Sequence, residues 1–204
     1  MAGSPPQGAA PGDTLSVTRR SAAAALLGLA LSVAALHAQS VPDMTLRAGS
    51  LAFDGKATLG DFTGATTTLS GALSGAASID GVRGWVEAPA RSLATGNGRR
   101  DRDMYASLEV DKHPTLRFEL DDLAAGQREG DSIPVTLRGR FTLHGVTRQH
   151  AVPGWLWLTP QSARFSGRLP LNLKDFGVAG LSKMLGVLKM QEGIVVRVDV
   201  TFGS

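Results

Sequence analysis

The 204-residue chain has no cysteine. That excludes disulfides, thiolate metal sites and a cysteine nucleophile. It leaves the compartment open, because a domain of about 160 residues buries a core without covalent staples. Aromatic side chains that could stack on nucleobases are few, with one Tyr and three Trp. Charge of one sign is also lacking. Lys and Arg number 21 against 18 Asp and Glu, a net charge of +3. The basic residues are scattered, and no basic run exceeds the pairs Arg19-Arg20 and Arg99-Arg100. A nucleic-acid partner is therefore not expected. No G-x-S-x-G pattern surrounds Ser92, Ser107 or Ser182, and no Gly-rich phosphate loop precedes a helix. Nothing supports a hydrolase or a nucleotide-binding enzyme, so no enzyme activity, cofactor or metal is expected.

Long hydrophobic runs are reduced to one, the uncharged stretch from Ser21 to Leu36. It follows Arg19-Arg20 and ends in the small residues of Ala38-Gln39-Ser40. That is the order of a secretory signal. At about 16 residues the run is marginal for a hydrocarbon core of roughly 30 Å, so no stable membrane span is expected. Residues 1–40 are read as a signal peptide with an extended n-region, and 41–204 as one exported domain. The general secretory route is favoured. Thr18-Arg19-Arg20-Ser21 hints at the twin-arginine route, but Ala22 stands where that signal has a bulky apolar residue. The expected location is periplasmic or secreted.

What the remaining chain has is alternation. Leu137, Gly139, Phe141 and Leu143 alternate with Arg138, Arg140 and Thr142. Ile194, Val196, Val198, Val200 and Phe202 alternate with Arg197, Asp199 and Thr201. Period-2 patterns place alternate side chains on opposite faces of a sheet. Turn signals such as Asp54-Gly55, His144-Gly145 and Glu192-Gly193 separate the runs. About eight strands are predicted by these rules, near 45–54, 57–73, 77–89, 115–123, 132–143, 147–159, 162–171 and 193–203. Strands with one wet face and no interleaved amphipathic helices point to an antiparallel sandwich or barrel. Asn97 to Pro114 reads as a charged loop with a helical turn. Lys174 to Met190 is apolar without alternation and reads as a short helix or lid. Glycines 84, 139 and 167 lie on the apolar face, either as bend points or as room for a ligand. An eight-stranded interior either fills with side chains or holds one ligand.

Four segments carry a family pattern in order. They are Gly49-Ser50-Leu51-Ala52-Phe53, the stretch Ala90 to Asp101 continuing to Met104, His113-Pro114-Thr115-Leu116-Arg117-Phe118, and Gly139 to Thr147; Asp175-Phe176-Gly177 follows. From about residue 44 to 203 the chain resembles the YceI-like family of polyisoprenoid-binding, lipocalin-like periplasmic proteins. The resemblance implies an all-β fold, an eight-stranded antiparallel barrel with an apolar tunnel and a short helical segment or lid. It implies a polyprenyl phosphate or isoprenoid quinone as ligand and no reaction. One departure is the scarcity of aromatics between residues 54 and 84, where only Phe62 occurs.

Phe53, Val86, Phe118, Phe141, Phe165, Phe176, Met184, Leu188, Val198 and Phe202 are the ligand-lining candidates, with a packed core as the plainer reading of each. Arg99 and Arg100 are the head-group candidates, because a guanidinium forks onto phosphate oxygens. The plainer reading of that charged run is a solvated loop with weak ion pairs. His113, His144 and His150 match no metal-ligand spacing and read as ordinary loop histidines. The expected function is a periplasmic carrier of an isoprenoid lipid. The alternatives are a ligand-free structural or interaction barrel, and an enzyme on a hydrophobic substrate. The latter requires polar groups converging inside the tunnel. The oligomeric state stays open, a homodimer included.

Overall fold

The computed structural model describes Gly3 and residues 40–58, 60–178, 182–183 and 188–204, with backbone alone at 182, 183, 188 and 189. Apart from Gly3 and Ser40, residues 1–40, expected to be a signal peptide, lie outside the described residues. The barrel unit spans residues 38–204.

The alternating runs become strands: β1 (Met44–Ala57), β2 (Phe62–Thr66), β3 (Ser70–Ser74), β4 (Arg83–Pro89), β5 (Thr115–Ala125), β6 (Ile133–Leu143), β7 (Val146–Thr159), β8 (Ser162–Asn172), β9 (Ser182–Lys183) and β10 (Leu188–Gly203). All pairings are antiparallel. The circuit β1-β3-β4-β5-β6-β7-β8-β10 closes on itself because β10 pairs β1 from Thr45↔Gly203 to Ala57↔Met190. Closure removes the open edges that an eight-stranded sheet would otherwise expose. β2 and β9 lie off that circuit, on β1 and β10.

The run expected as one strand over 57–73 is broken. β2 and β3 follow one register along β1, with Leu51↔Thr66 and Met44↔Leu73, but Thr67 to Leu69 leave the ladder. Thr66 gives the cause. Its hydroxyl accepts the Thr68 amide at 3.0 Å and donates to Ser92 Oγ at 2.8 Å. A side chain that captures a nearby amide competes with the sheet. Only β3 therefore reaches β4, and beside β2 the wall opens except for the bridge Ala65↔Ala94.

That opening is covered by α1 (Gly98–Ser107), longer than the helical turn expected there. Asn97 caps it, its side chain accepting the amides of Arg99 and Arg100 at 3.1 Å each. Such a cap satisfies donors the helix cannot pair internally. Asp101 in the first turn accepts from the amide and hydroxyl of Thr95 at 2.8 and 2.6 Å. A 3₁₀ turn over Leu173–Phe176 closes the same end, with Leu173, Phe176 and Val178 buried. The stretch expected as a helix or lid is thus a single helical turn followed, among the described residues, by the β9–β10 pair.

The outer face carries cross-strand ion pairs. Arg117 meets Glu87 at 2.7 Å, Arg138 meets Asp122 at 2.7 Å and Arg164 meets Asp199 at 2.8 Å. Each such exposed pair contributes about 0–1 kcal/mol. Trp85, apolar on this polar face, lies beneath the Arg117 guanidinium at 4.5 Å. Two of the inward glycines hold no space for a guest. Gly154 pairs Gly167, and a Cβ on either would lie 2.5–2.6 Å from the Phe165 ring that covers them.

Candidate functional site

The inner faces enclose an apolar cavity in two chambers. The first, about 140 Å³, is walled by Val86, Phe118, Phe141, Phe165, Val198 and Phe202 among others. It reaches Val41, Ile79 and Val82 at one end of the barrel. The second, about 90 Å³, lies beneath the helical cap, against Phe53, Phe62, Leu93, Met104, Leu108 and Val178 among others. Leu51, Leu116, Phe141 and Val196 belong to both walls and form the waist between them. An apolar cavity of roughly 150 Å³ stays dry and holds a benzene-sized guest. Each chamber is on that scale. A longer tail therefore needs the waist and cap side chains to turn aside.

The structure distributes the expected residues unevenly. Val86, Phe118, Phe165, Val198 and Phe202 line the first chamber, Phe53 the second, and Phe141 both. Phe176 differs. It is fully buried but lines neither chamber. Its ring stacks on His150 at 5.8 Å and meets Phe141 edge-on at 5.6 Å, so it packs the cap against the sheet. Met184 lies outside the described residues, and Leu188 is described by its backbone only. The two arginines separate. Arg99 is exposed and off the walls, whereas Arg100 lines the second chamber with its guanidinium 4.5 Å from the Phe62 ring centroid.

Sequence reasoning named Arg100 but missed the rest of the face it belongs to. Arg100, Met104, Ser107 and Leu108 meet the chamber at spacings of four, seven and eight, one helical stripe. Phe62 was also missed. It crosses Phe53 edge-on at 6.1 Å and lies over Gly55. The isolated aromatic in an aromatic-poor stretch was the available signal.

The histidines are not loop residues of one kind. His150 lies in β7 opposite Gly139, behind Phe141 and Phe176 and off both chamber walls. Its Nε2 is buried with no hydrogen-bond partner. Desolvation holds its pKa below the ordinary imidazole value, against the opposing charge of Asp175. His113 and His144 come together with Glu109 outside the chambers. Glu87 and Arg117, the charged residues at the first chamber, pair with each other rather than converge on it.

A model of the YceI-like domain matches residues 40–202. No curated protein matches the sequence. Among solved structures, Burkholderia cenocepacia BcnA superposes with a TM-score of 0.62 at 16% identity, covering 75% of this chain and 95% of that one. A polyisoprenoid binding domain from Saccharophagus degradans, implicated in plant cell wall breakdown, superposes with a TM-score of 0.62 at 16% identity, covering 79% and 98%. At that identity the likeness is one of fold.

Proposed function

This chain belongs to the YceI-like family, and from that premise we propose that it is an exported carrier of an isoprenoid lipid, performing no covalent chemistry. The observation that carries the reading is the apolar cavity, two chambers joined by the waist at Leu51, Leu116, Phe141 and Val196. The name of the Saccharophagus degradans domain supports the ligand class. The sequence of the first 40 residues supports export to the periplasm or beyond. A cavity without converging polar groups suits a tail and offers no acid, base or nucleophile to a reaction. At about 0.8 kcal/mol per buried methylene, a five-carbon unit contributes about 4 kcal/mol before the costs of binding. Arg100, at the second chamber, is the residue placed to meet a phosphate or a quinone carbonyl. The helical cap is then the entry side.

The small free volume favours a second reading, a ligand-free structural barrel. Organic extraction of natively purified protein, read by mass spectrometry, separates the two. A polyprenyl phosphate or isoprenoid quinone at near-stoichiometric yield is the expected result. A clean extract, with no uptake when the protein is incubated with either lipid, sinks the carrier reading.

A further inference from the structure

Outside the barrel cavity, three separate segments bring metal-ligating side chains to one place. Glu109 follows α1, His113 leads into β5, and His144 forms the β6–β7 turn. One ligand atom from each lies within 4.8 Å of the other two. Glu109 Oε2 is 3.5 Å from His144 Nε2 and 3.9 Å from His113 Nε2. Neighbouring ligands on a tetrahedral zinc ion with bonds of 2.0–2.1 Å stand roughly 3.3 Å apart. The two Glu109 separations exceed that spacing by well under 1 Å, and the two imidazoles, within 4.8 Å of each other, have to close by at most about 1.5 Å. We propose that Glu109, His113 and His144 form a binding site for a divalent transition-metal ion of the zinc class, with water completing the coordination.

Four observations support the site independently of the barrel's ligand. First, the outer shell is in place. His144 Nδ1 is 3.0 Å from the Phe176 carbonyl. Donation to that carbonyl leaves the Nε2 lone pair facing Glu109, as the partner of a metal-ligating histidine does. Second, the backbone is held in unfavourable conformations at two of the ligands. Glu109 at φ 45° and His144 at φ 52° are the only non-glycine residues with positive φ among the described residues. Glu109 occupies the position after a helix where glycine is preferred. His144 precedes Gly145, at φ 72°, in a two-residue hairpin turn where Asn-Gly is preferred. Both positions keep a ligand-type side chain where a turn residue would cost less, and such costs concentrate at functional sites.

Third, Gly145 leaves room for the His113 ring. A Cβ there would lie 2.6 Å from His113 Cε1 and 2.7 Å from Nδ1. Fourth, the site is reachable. The side chains of Glu109, His113 and His144 are 42%, 31% and 17% exposed. Lys112 Nζ, 3.1 Å from Glu109 Oε1, is the competing cation, but its side chain is 71% exposed and can swing away. Carboxylate plus imidazole suits zinc, nickel or copper rather than calcium or magnesium. Because its ligands come from the end of α1, the approach to β5 and the β6–β7 turn, a bound ion would pin the helical cap to the barrel.

Titration of the tag-free, chelator-treated full chain with zinc chloride in a calorimeter tests the proposal. One ion per chain should bind, and excess magnesium or calcium should not displace it. Cobalt(II) should give the visible bands of a low-symmetry four-coordinate centre. His144→Asn keeps a residue that tolerates the turn and removes a ligand, so affinity should fall at least about tenfold. Glu109→Gly should abolish binding while leaving the metal-free melting temperature unchanged or a few degrees higher, because glycine suits that φ. Lys112→Ala should tighten binding. Absence of zinc binding in the wild type overturns the proposal. So does binding that survives both ligand substitutions, or a metal-free chain that Glu109→Gly destabilises, which would mean the carboxylate is kept for its ion pairs.

Discussion

The two ends of the barrel are closed by different means. One end is shut by short pieces of chain tied to the strands. Val41, Ile79 and Val82 are buried there, Val41 bridges Ala76, and the Gly75 amide donates to Asp43 at 2.7 Å. The other end is covered by α1, which has no buried residue, and by the turn over Leu173–Phe176. The turn packs Leu173 and Phe176 into the core, whereas α1 is attached by side-chain contacts, Tyr105 donating to the Leu93 carbonyl at 2.6 Å and Asp101 accepting from Thr95. Thr66 interrupts the wall on that side alone. Chain packed into the core opens only with global unfolding, whereas a helix that buries none of its own residues and is tied down by a few polar contacts opens locally. The contrast assigns stability to the first end and exchange to the second.

The waist tests whether the two ends serve one cavity. Phe141→Ala removes the ring shared by both chambers and should cost about 3–5 kcal/mol in denaturant unfolding. It should also raise uptake of a bulky apolar probe, followed by fluorescence. Destabilisation without added uptake would mean the chambers are packing defects rather than one site. At the tightly closed end, Ile79→Ala should cost about 2–5 kcal/mol yet leave the rate of probe release unchanged. At the covered end the effects reverse. Asn97→Ala removes the α1 cap and should cost only about 1 kcal/mol, but it should speed release in a stopped-flow chase. Equal effects on release from both substitutions would erase the distinction between the ends.

The same contrast explains what was legible in the sequence. Strands around the wall follow alternation, because one face meets the core and the other meets water, but the strand expected over 77–89 begins only at Arg83, and a 3₁₀ turn over Ile79–Gly81 precedes it at the tightly closed end. The predicted 115–123 and 162–171 fall within two residues of β5 and β8. The covered end is not periodic in that way. The 57–73 run alternates well enough to read as one strand, and a single hydroxyl, Thr66, breaks it. The stripe has only two apolar members, Met104 in α1 and Leu108 just after it, and they follow directly on the charged residues Arg99 to Asp103. Phe176 looked like a lining residue because its burial was legible and its direction was not. Glu109 and His113 are one helical turn apart, but His144 joins them only through the pairing of β5 with β6. No spacing rule reports a contact that topology creates.

The smallest expected effect comes from His150, at the covered end. Its imidazole is desolvated behind Phe141 and Phe176, and its pKa lies below the ordinary value of 6.5. The folded chain therefore binds this proton less readily than the unfolded chain does. Stability is present in full above the unfolded pKa. It falls as pH drops below about 6.5, and the fall levels off once pH passes the lower folded pKa. His150→Phe keeps a ring in the stack and removes the titration. The difference in unfolding free energy between wild type and variant should therefore shift toward the variant from pH 7.5 to pH 5. The tightly closed end has no histidine among its described residues, so this component belongs to the covered end. Probe release from the wild type should quicken over the same interval and do so less in His150→Phe. A pH-independent difference between the two proteins would show that His150 acts through packing alone.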